Sequence, residues 1–152
     1  MPLHKCTILP RGPALGFTAY LPDKDLHNTT KEQLIARIDI ALGGRQAEEM
    51  IYGTDEITTG CSSDLQQATS IAYQFIRRFG MGDTYMISAE KNGLSDKLNY
   101  EIDKKVQEML TQSLYRVNDL LKENKGKLEI LAKELVVKET LSSAEIKKIC
   151  DI

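Results

Sequence analysis

The sequence predicts a mainly α-helical fold with a short β-hairpin at its front. Apolar residues recur at helical spacing through long stretches from Thr30 onward. Two phrases, Thr30-Lys-Glu-Gln33 and Ser142-Ser-Ala-Glu145, are capping boxes, in which a hydroxyl and an acidic or amide side chain satisfy free backbone donors at a helix start. The first 22 residues, by contrast, hold β-favouring residues between prolines. A chain of 152 residues is expected to form a single domain over 1–152. Its strand element covers 1–22, a first helical group 30–80, and C-terminal helices 99–150.

The strand element reads as two short strands around the Pro-Arg-Gly-Pro turn at 10–13. Thr7, Ile8 and Leu9 favour extended backbone; Phe17 to Tyr20 form a second strand that Pro22 ends. Residues 23–28, DKDLHN, are expected as loop. From the Thr30 box, Leu34, Ile35, Ile38, Ala41 and Leu42 keep helical period, which continues to Ile51 until Gly53 stops it. Gly43 and Gly44 lie inside this helix, each costing about 1 kcal/mol against alanine. Either another backbone packs closely there, or the helix has a plain local kink.

A second helix starts near Ser62 or Ser63, both read as caps. Leu65, Ala68, Ala72, Phe75 and Phe79 form its apolar stripe, widened by Ile71 and Ile76, and Gly80 closes it. Residues 80–98 read as irregular. A long helix runs from about Tyr100 to Glu123, carried by Ile102, Val106, Met109, Leu110, Leu114, Val117, Leu120 and Leu121. Lys125-Gly-Lys127 breaks it; Leu128, Ile130, Leu131 and Leu135 carry another helix to about Lys138. The Ser142 box opens a last short helix to about Ile149.

Composition excludes several function classes. Hydrophobic residues make up 41% and charged residues 28%, with a formal charge of −2, which gives no electrostatic case for nucleic acid or an anionic membrane. No apolar run approaches the roughly 20 residues that span a bilayer, and no signal peptide is visible. Cys6, Cys61 and Cys150 are odd in number and far apart, which argues against a disulfide framework and a CxxC zinc site and fits a reducing compartment.

Few residues can carry chemistry. Asp64 stands at the start of a helix, where backbone amides and the helix dipole favour an acid without any metal. A carboxylate also ligates zinc, but a catalytic zinc commonly takes three protein ligands. His4 beside a strand and His27 in a polar loop are not paired at helical spacing, and read as surface or packing residues. Cys61, three positions before Asp64, reads as a small near-core loop residue. The chain contains no HExxH, no G-x-S-x-G and no phosphate-binding glycine loop, so no catalytic residue and no nucleotide site is assigned. Glu48 and Glu49, after Arg45, read as a solvated or salt-bridged face, with Asp64's neighbourhood as a minor alternative.

Four phrases, HKCTILPRGPALGFTAYLP, ALGGRQAEEMIYG, ITTGCSSDLQQAT and RRFGMGD, occur in order along the chain. Together they resemble the peptidase domain of the FtsH family of ATP-dependent zinc metalloproteases, most closely its mitochondrial i-AAA branch, from about His4 to Ile149. The resemblance implies a helical zinc-peptidase-like domain with Asp64 as the third zinc ligand. It implies that the GGRQAEE helix packs near the metal. It also implies that Gly16, Phe17, Thr18, Ala19 and Tyr20 form an edge strand beside the active site, to which an extended substrate adds by backbone hydrogen bonds.

The family acts as a hexamer on unfolded or membrane-anchored proteins, at the mitochondrial inner membrane or in plastid or bacterial membranes. ATP enters only through a AAA+ module, and membrane attachment only through segments outside this chain. Its chemistry is attack of zinc-activated water on a peptide carbonyl with the HExxH glutamate as base. In the family that helix precedes the HK phrase. Here Met1-Pro-Leu-His4 leaves it no room, so the chain is expected to hold an incomplete zinc site and to be inactive alone. The alternative expectation is a non-catalytic assembly module that binds full-length protease subunits.

Overall fold

The capping box at Thr30 starts a helix where the sequence places one. In the computed structural model, which describes residues 3–10, 16–20, 28–82 and 94–152, the Thr30 hydroxyl accepts the Gln33 N–H at 3.2 Å, and Gln33 Oε1 accepts the Thr30 N–H at 2.9 Å. The elements in chain order are β1 (Leu3–Thr7), β2 (Phe17–Tyr20), α1 (Lys31–Tyr52), α2 (Ser62–Arg77), α3 (Asp96–Glu123), α4 (Lys125–Lys138), β3 (Thr140–Ser142) and α5 (Ser143–Cys150). Two 3₁₀ turns, Thr54–Glu56 and Thr59–Cys61, join α1 to α2. They group into two compact units, Asn28–Leu121 and Met1–His27 with Lys122–Ile152.

The helical unit is built on α1 and α2. Leu34, Ile38, Ala41 and Leu42 of α1 cluster with Ala68, Ala72, Phe75 and Ile76 of α2 and with Ile102 and Val106 of α3. Ile38 is 0% and Phe75 1% exposed. Polar ties fasten α3 to both partners. Arg116 forks onto Asp39 of α1 at 3.1 and 2.8 Å, the bidentate geometry that suits a guanidinium, and also donates to the buried Ser113 hydroxyl at 2.7 Å. On the α2 side, Tyr73 donates to Asp103 at 2.9 Å and Arg77 to Asn99 at 2.9 Å. The Asp103 bond and partial burial raise the Tyr73 pKa.

The expected limits of this unit need correction in places. Leu65 and Phe79, placed on the core stripe of α2, and Leu120 on α3, are exposed. The apolar period runs past the end of the packed surface at each of these points. Ser62 and Ser63 are not caps but the first residues of α2. The 3₁₀ turn Thr59–Cys61 runs straight into the helix, Ser62 N–H donating to Thr59 O, so the start is shaped by backbone. A Cβ at Gly43 or Gly44 would meet nothing within 4 Å, so among the described residues no other backbone approaches this face. Gly80 does close α2: its φ of +59°, accessible to glycine at little cost, lets Met81 N–H reach Phe75 O at 3.0 Å. The long helix starts at Asp96, four residues earlier than the period suggested.

The second unit is a small sheet with two helices. Strand order is β2-β1-β3, all antiparallel. β1 pairs Cys6 with Thr18 of β2 and with Leu141 of β3. The hairpin is thus present, but β1 lies earlier than expected: Ile8 and Leu9 fall beyond it. The Thr7 hydroxyl accounts for this. It donates to Glu139 O at 2.9 Å, faces the Thr140 hydroxyl at 2.8 Å and accepts the Leu9 N–H at 3.2 Å, turning the chain out of the sheet. At Gly16 a Cβ would stand 2.8 Å from Thr7 O, so the start of β2 needs glycine for close approach. The turn at 11–13, the loop at 23–27 and most of the irregular stretch at 80–98 lie outside the described residues.

β3 was not foreseen. Three residues carry too little pattern to mark a strand, and Thr140–Ser142 is extended because it pairs with β1. The helix break expected at 125–127 is confined to Asn124, and Gly126 sits inside α4. α5 opens at the Ser142 box. Lys138 bridges Glu134 at 2.9 Å and Glu145 at 3.2 Å. At the other end of α4, Lys127 donates to Cys150 O at 2.7 Å. Leu141 and Ile146 are the buried apolar anchors.

Two outcomes follow. Phe75→Ala removes a ring from a closed core and is expected to lower the stability of the helical unit by about 3–5 kcal/mol in denaturant titration. Glu145, held by the Ser142 N–H, the Ser142 hydroxyl and Lys138, has its pKa lowered from 4.5 to about 2. A depressed acid stabilises the folded form above its ordinary pKa, and that contribution is lost as pH falls through the folded value. Glu145→Gln is therefore expected to flatten the loss of α5 structure between pH 4.5 and about 2, followed by NMR.

Candidate functional site

The segment between α1 and α2 decides where Asp64 stands. Gly53, at φ +92°, ends α1 with its N–H on Glu49 O. The chain then makes its two 3₁₀ turns, with Thr58 just before the second. The Thr58 N–H donates to Glu48 Oε2 at 2.9 Å, and its hydroxyl lies 3.1 and 3.2 Å from the two Glu48 oxygens. The same hydroxyl accepts the Gly60 N–H at 3.2 Å. The Cys61 thiol reaches back to Thr58 O at 3.5 Å.

Asp64 follows in the first turn of α2. It is exposed, and no hydrogen bond or ion pair engages its carboxylate among the described residues. Its position suits the free amides and the positive end of the helix, and its oxygens are open to a ligand. On another face of α2, without Asp64 in its lining, runs an open concavity of about 560 Å³ bordered by Ser62, Leu65, Gln66, Thr69, Ser70 and Tyr73.

A carboxylate in this state fits one ligand position of a zinc ion. It does not make a centre. Among the described residues no group of three or more His, Cys, Asp or Glu side chains could hold a metal. His4 is an exposed residue of β1, and His27 lies outside the described residues. Cys61 turns to its own backbone loop.

The two glutamates of the GGRQAEE phrase divide their roles. Glu49 pairs with Arg45 at 3.0 Å, the salt-bridged face expected. Glu48 instead holds the loop. Sequence reasoning missed this because Thr58 is ten positions on, beyond any helical spacing; the only signal was a hydroxyl residue in the loop that returns toward the helix end.

Gly16 to Tyr20, the other candidate region, lie at the edge of the sheet, β2 being an outer strand. Thr18 is its outward residue, and its hydroxyl lies 3.5 Å from Cys6 Sγ. Burial, reinforced by Cys6, raises the Tyr20 pKa.

Comparison with known proteins agrees with the resemblance. Residues 1–149 match the profile of peptidase family M41. The ATP-dependent zinc metalloprotease YME1L of Drosophila melanogaster is 44% identical over 156 residues, covering 97% of this chain and 21% of the fly protein. The ATP-dependent zinc metalloprotease FTSH 11, chloroplastic/mitochondrial, of Arabidopsis thaliana is 43% identical over 148 residues, with 97% and 18% covered. The mitochondrial inner membrane i-AAA protease supercomplex subunit YME1 of Saccharomyces cerevisiae is 42% identical over 152 residues, with 98% and 20% covered. The chain spans about a fifth of the length of these curated relatives.

Because no hydrogen bond or ion pair engages the Asp64 carboxylate among the described residues, its removal is expected to leave the fold almost intact. Asp64→Ala should change stability by no more than about 1 kcal/mol, the scale of a first-turn charge on a helix dipole, measured by denaturation. A much larger loss would mean that the carboxylate has a structural partner.

Proposed function

The chain belongs to peptidase family M41, and on that premise we propose that it forms part of the peptidase domain of an ATP-dependent zinc metalloendopeptidase. Asp64 serves as one zinc ligand. The observation that carries this reading is an exposed carboxylate in the first turn of α2, unengaged among the described residues, within the phrase ITTGCSSDLQQAT. The remaining donors and the general base of an HExxH helix come from outside this sequence, which holds no such motif. The isolated chain is therefore inactive in peptide cleavage.

β2, from Phe17 to Tyr20 with Gly16 before it, is read as the strand to which an extended protein substrate adds. Its outer place in the sheet supports this. The substrates are unfolded or membrane-anchored proteins, the assembly is a hexamer, and the location is the mitochondrial inner membrane. The yeast relative, a mitochondrial inner membrane i-AAA protease subunit, supports the last point. Among the described residues no helix is long and apolar enough to cross a membrane; membrane attachment and ATP hydrolysis are proposed to belong to other segments.

A second reading is a non-catalytic assembly module that binds full-length protease subunits. Val136 and Val137, 73% and 79% exposed on α4, favour it. Zinc content and peptide cleavage separate the two. The chain alone is expected to hold well under one zinc; joined to an HExxH-bearing peptidase segment it should gain zinc and cleavage, both lost with Asp64→Ala. Zinc and cleavage that survive Asp64→Ala in the joined protein would overturn the ligand assignment. Association with full-length subunits without cleavage would favour the assembly reading.

A further inference from the structure

We infer that Glu48 is a positioning residue for Asp64, acting through Thr58. This rests on the reading of Asp64 as a metal ligand and adds how its place is held. A metal ligand on a helix start must be fixed to within a fraction of an ångström by its surroundings. Asp64 has no side-chain partner of its own among the described residues, so its backbone has to supply that order.

α1 and α2 are each fixed by the core: Ile38 and Leu42 are buried on one, Ala68 and Ala72 on the other. The connection between them is polar and exposed, and Glu48 grips it in the middle. One carboxylate takes both the N–H and the hydroxyl of Thr58. That hydroxyl has a single proton, so donating to Glu48 leaves its lone pairs turned to the Gly60 N–H at 3.2 Å. The bond to Gly60 shapes the 3₁₀ turn that runs directly into α2.

The order thus passes from α1 through Glu48, Thr58 and Gly60 to the first turn of α2. Arg45 does not compete for Glu48, because it is taken up by Glu49. The adjacent acids are therefore not interchangeable: one braces the helix surface and the other braces the ligand-bearing turn.

Glutamine is the informative substitute. Its side-chain oxygen can still accept the Thr58 N–H, whereas it carries no charge for a metal and is no base. Cys61 reports on the turn from within it, and Cys6 and Cys150, also free thiols, serve as internal controls. In the chain as it exists, thiol labelling resolved by peptide mass and amide exchange at Gly60 and Asp64 are compared in Glu48→Ala, Glu48→Gln and Thr58→Val. Glu48→Ala is expected to speed Cys61 labelling and both amides by about tenfold, the signature of local opening, with Cys6 and Cys150 unchanged. Glu48→Gln should stay within about twofold of the parent, and Thr58→Val should show a selective but smaller change.

No selective change in Glu48→Ala overturns the inference. If Glu48→Ala speeds all thiols together through general loss of fold, Thr58→Val decides, and an unaltered turn there overturns it as well. In the joined, zinc-binding protein, Glu48→Ala is expected to weaken zinc by about tenfold while Glu48→Gln restores it; loss in both variants would make Glu48 a ligand instead and sink the positioning role. The turn is read without metal, so a failure here is separate from a failure of the Asp64→Ala zinc measurement.

Discussion

The helical unit depends on one apolar seam, where Ile38 and Leu42 of α1 close on Ala68, Ala72 and Phe75 of α2. Burying each large side chain contributes about 1.5–3 kcal/mol. The alanines matter for a different reason: small residues on α2 give the larger side chains of α1 room to pack. α3 joins through Ile102 and Val106, and its polar ties to Asp39, Tyr73 and Arg77 set its place along the other two helices. With both ends of the 53–61 connection so anchored, a single carboxylate is enough to order its middle.

The second unit, whose buried apolar side chains among the described residues are Leu141 and Ile146, also relies on polar nodes. Thr7 is 5% exposed and connects β1 to the start of β3 through its hydroxyl. Glu139, at φ +61°, turns the chain out of α4 so that Thr140 can meet it. A buried hydroxyl without partners would cost about 1–3 kcal/mol, so a fully bonded Thr7 both avoids that cost and specifies this pairing. Through β1, the same node holds the register of β2, the outer strand read as the substrate edge. The order of that edge thus depends on residues from the far end of the chain.

The candidate site combines a braced loop with a carboxylate that is unengaged among the described residues. Several charges elsewhere are paired: Arg45 with Glu49, Arg116 with Asp39, Lys138 with Glu134 and Glu145. Asp64 is left open on an ordered turn. On the proposed reading of Asp64 as a ligand, its carboxylate is kept for the metal, and Glu48 holds the preceding loop through Thr58.

Local signals were legible in the sequence wherever a few adjacent residues decide the structure. Both capping boxes, the stop at Gly53, the cap at Gly80, the β-hairpin and the mainly helical class follow from side chains acting within about one helical turn or across one reversal. The phrase around Asp64, with the three others, likewise marked the family. Tertiary structure alone decided the rest. β3 exists because Thr7 and Thr140 meet across 133 positions; Leu65 and Phe79 are exposed where the helical period would place a core. Glu48 is a loop anchor because Thr58 folds back to it across ten positions. Propensity and period describe a residue's neighbours in the chain, whereas pairing, burial and hydrogen-bond choice depend on which distant residue the packed chain brings alongside.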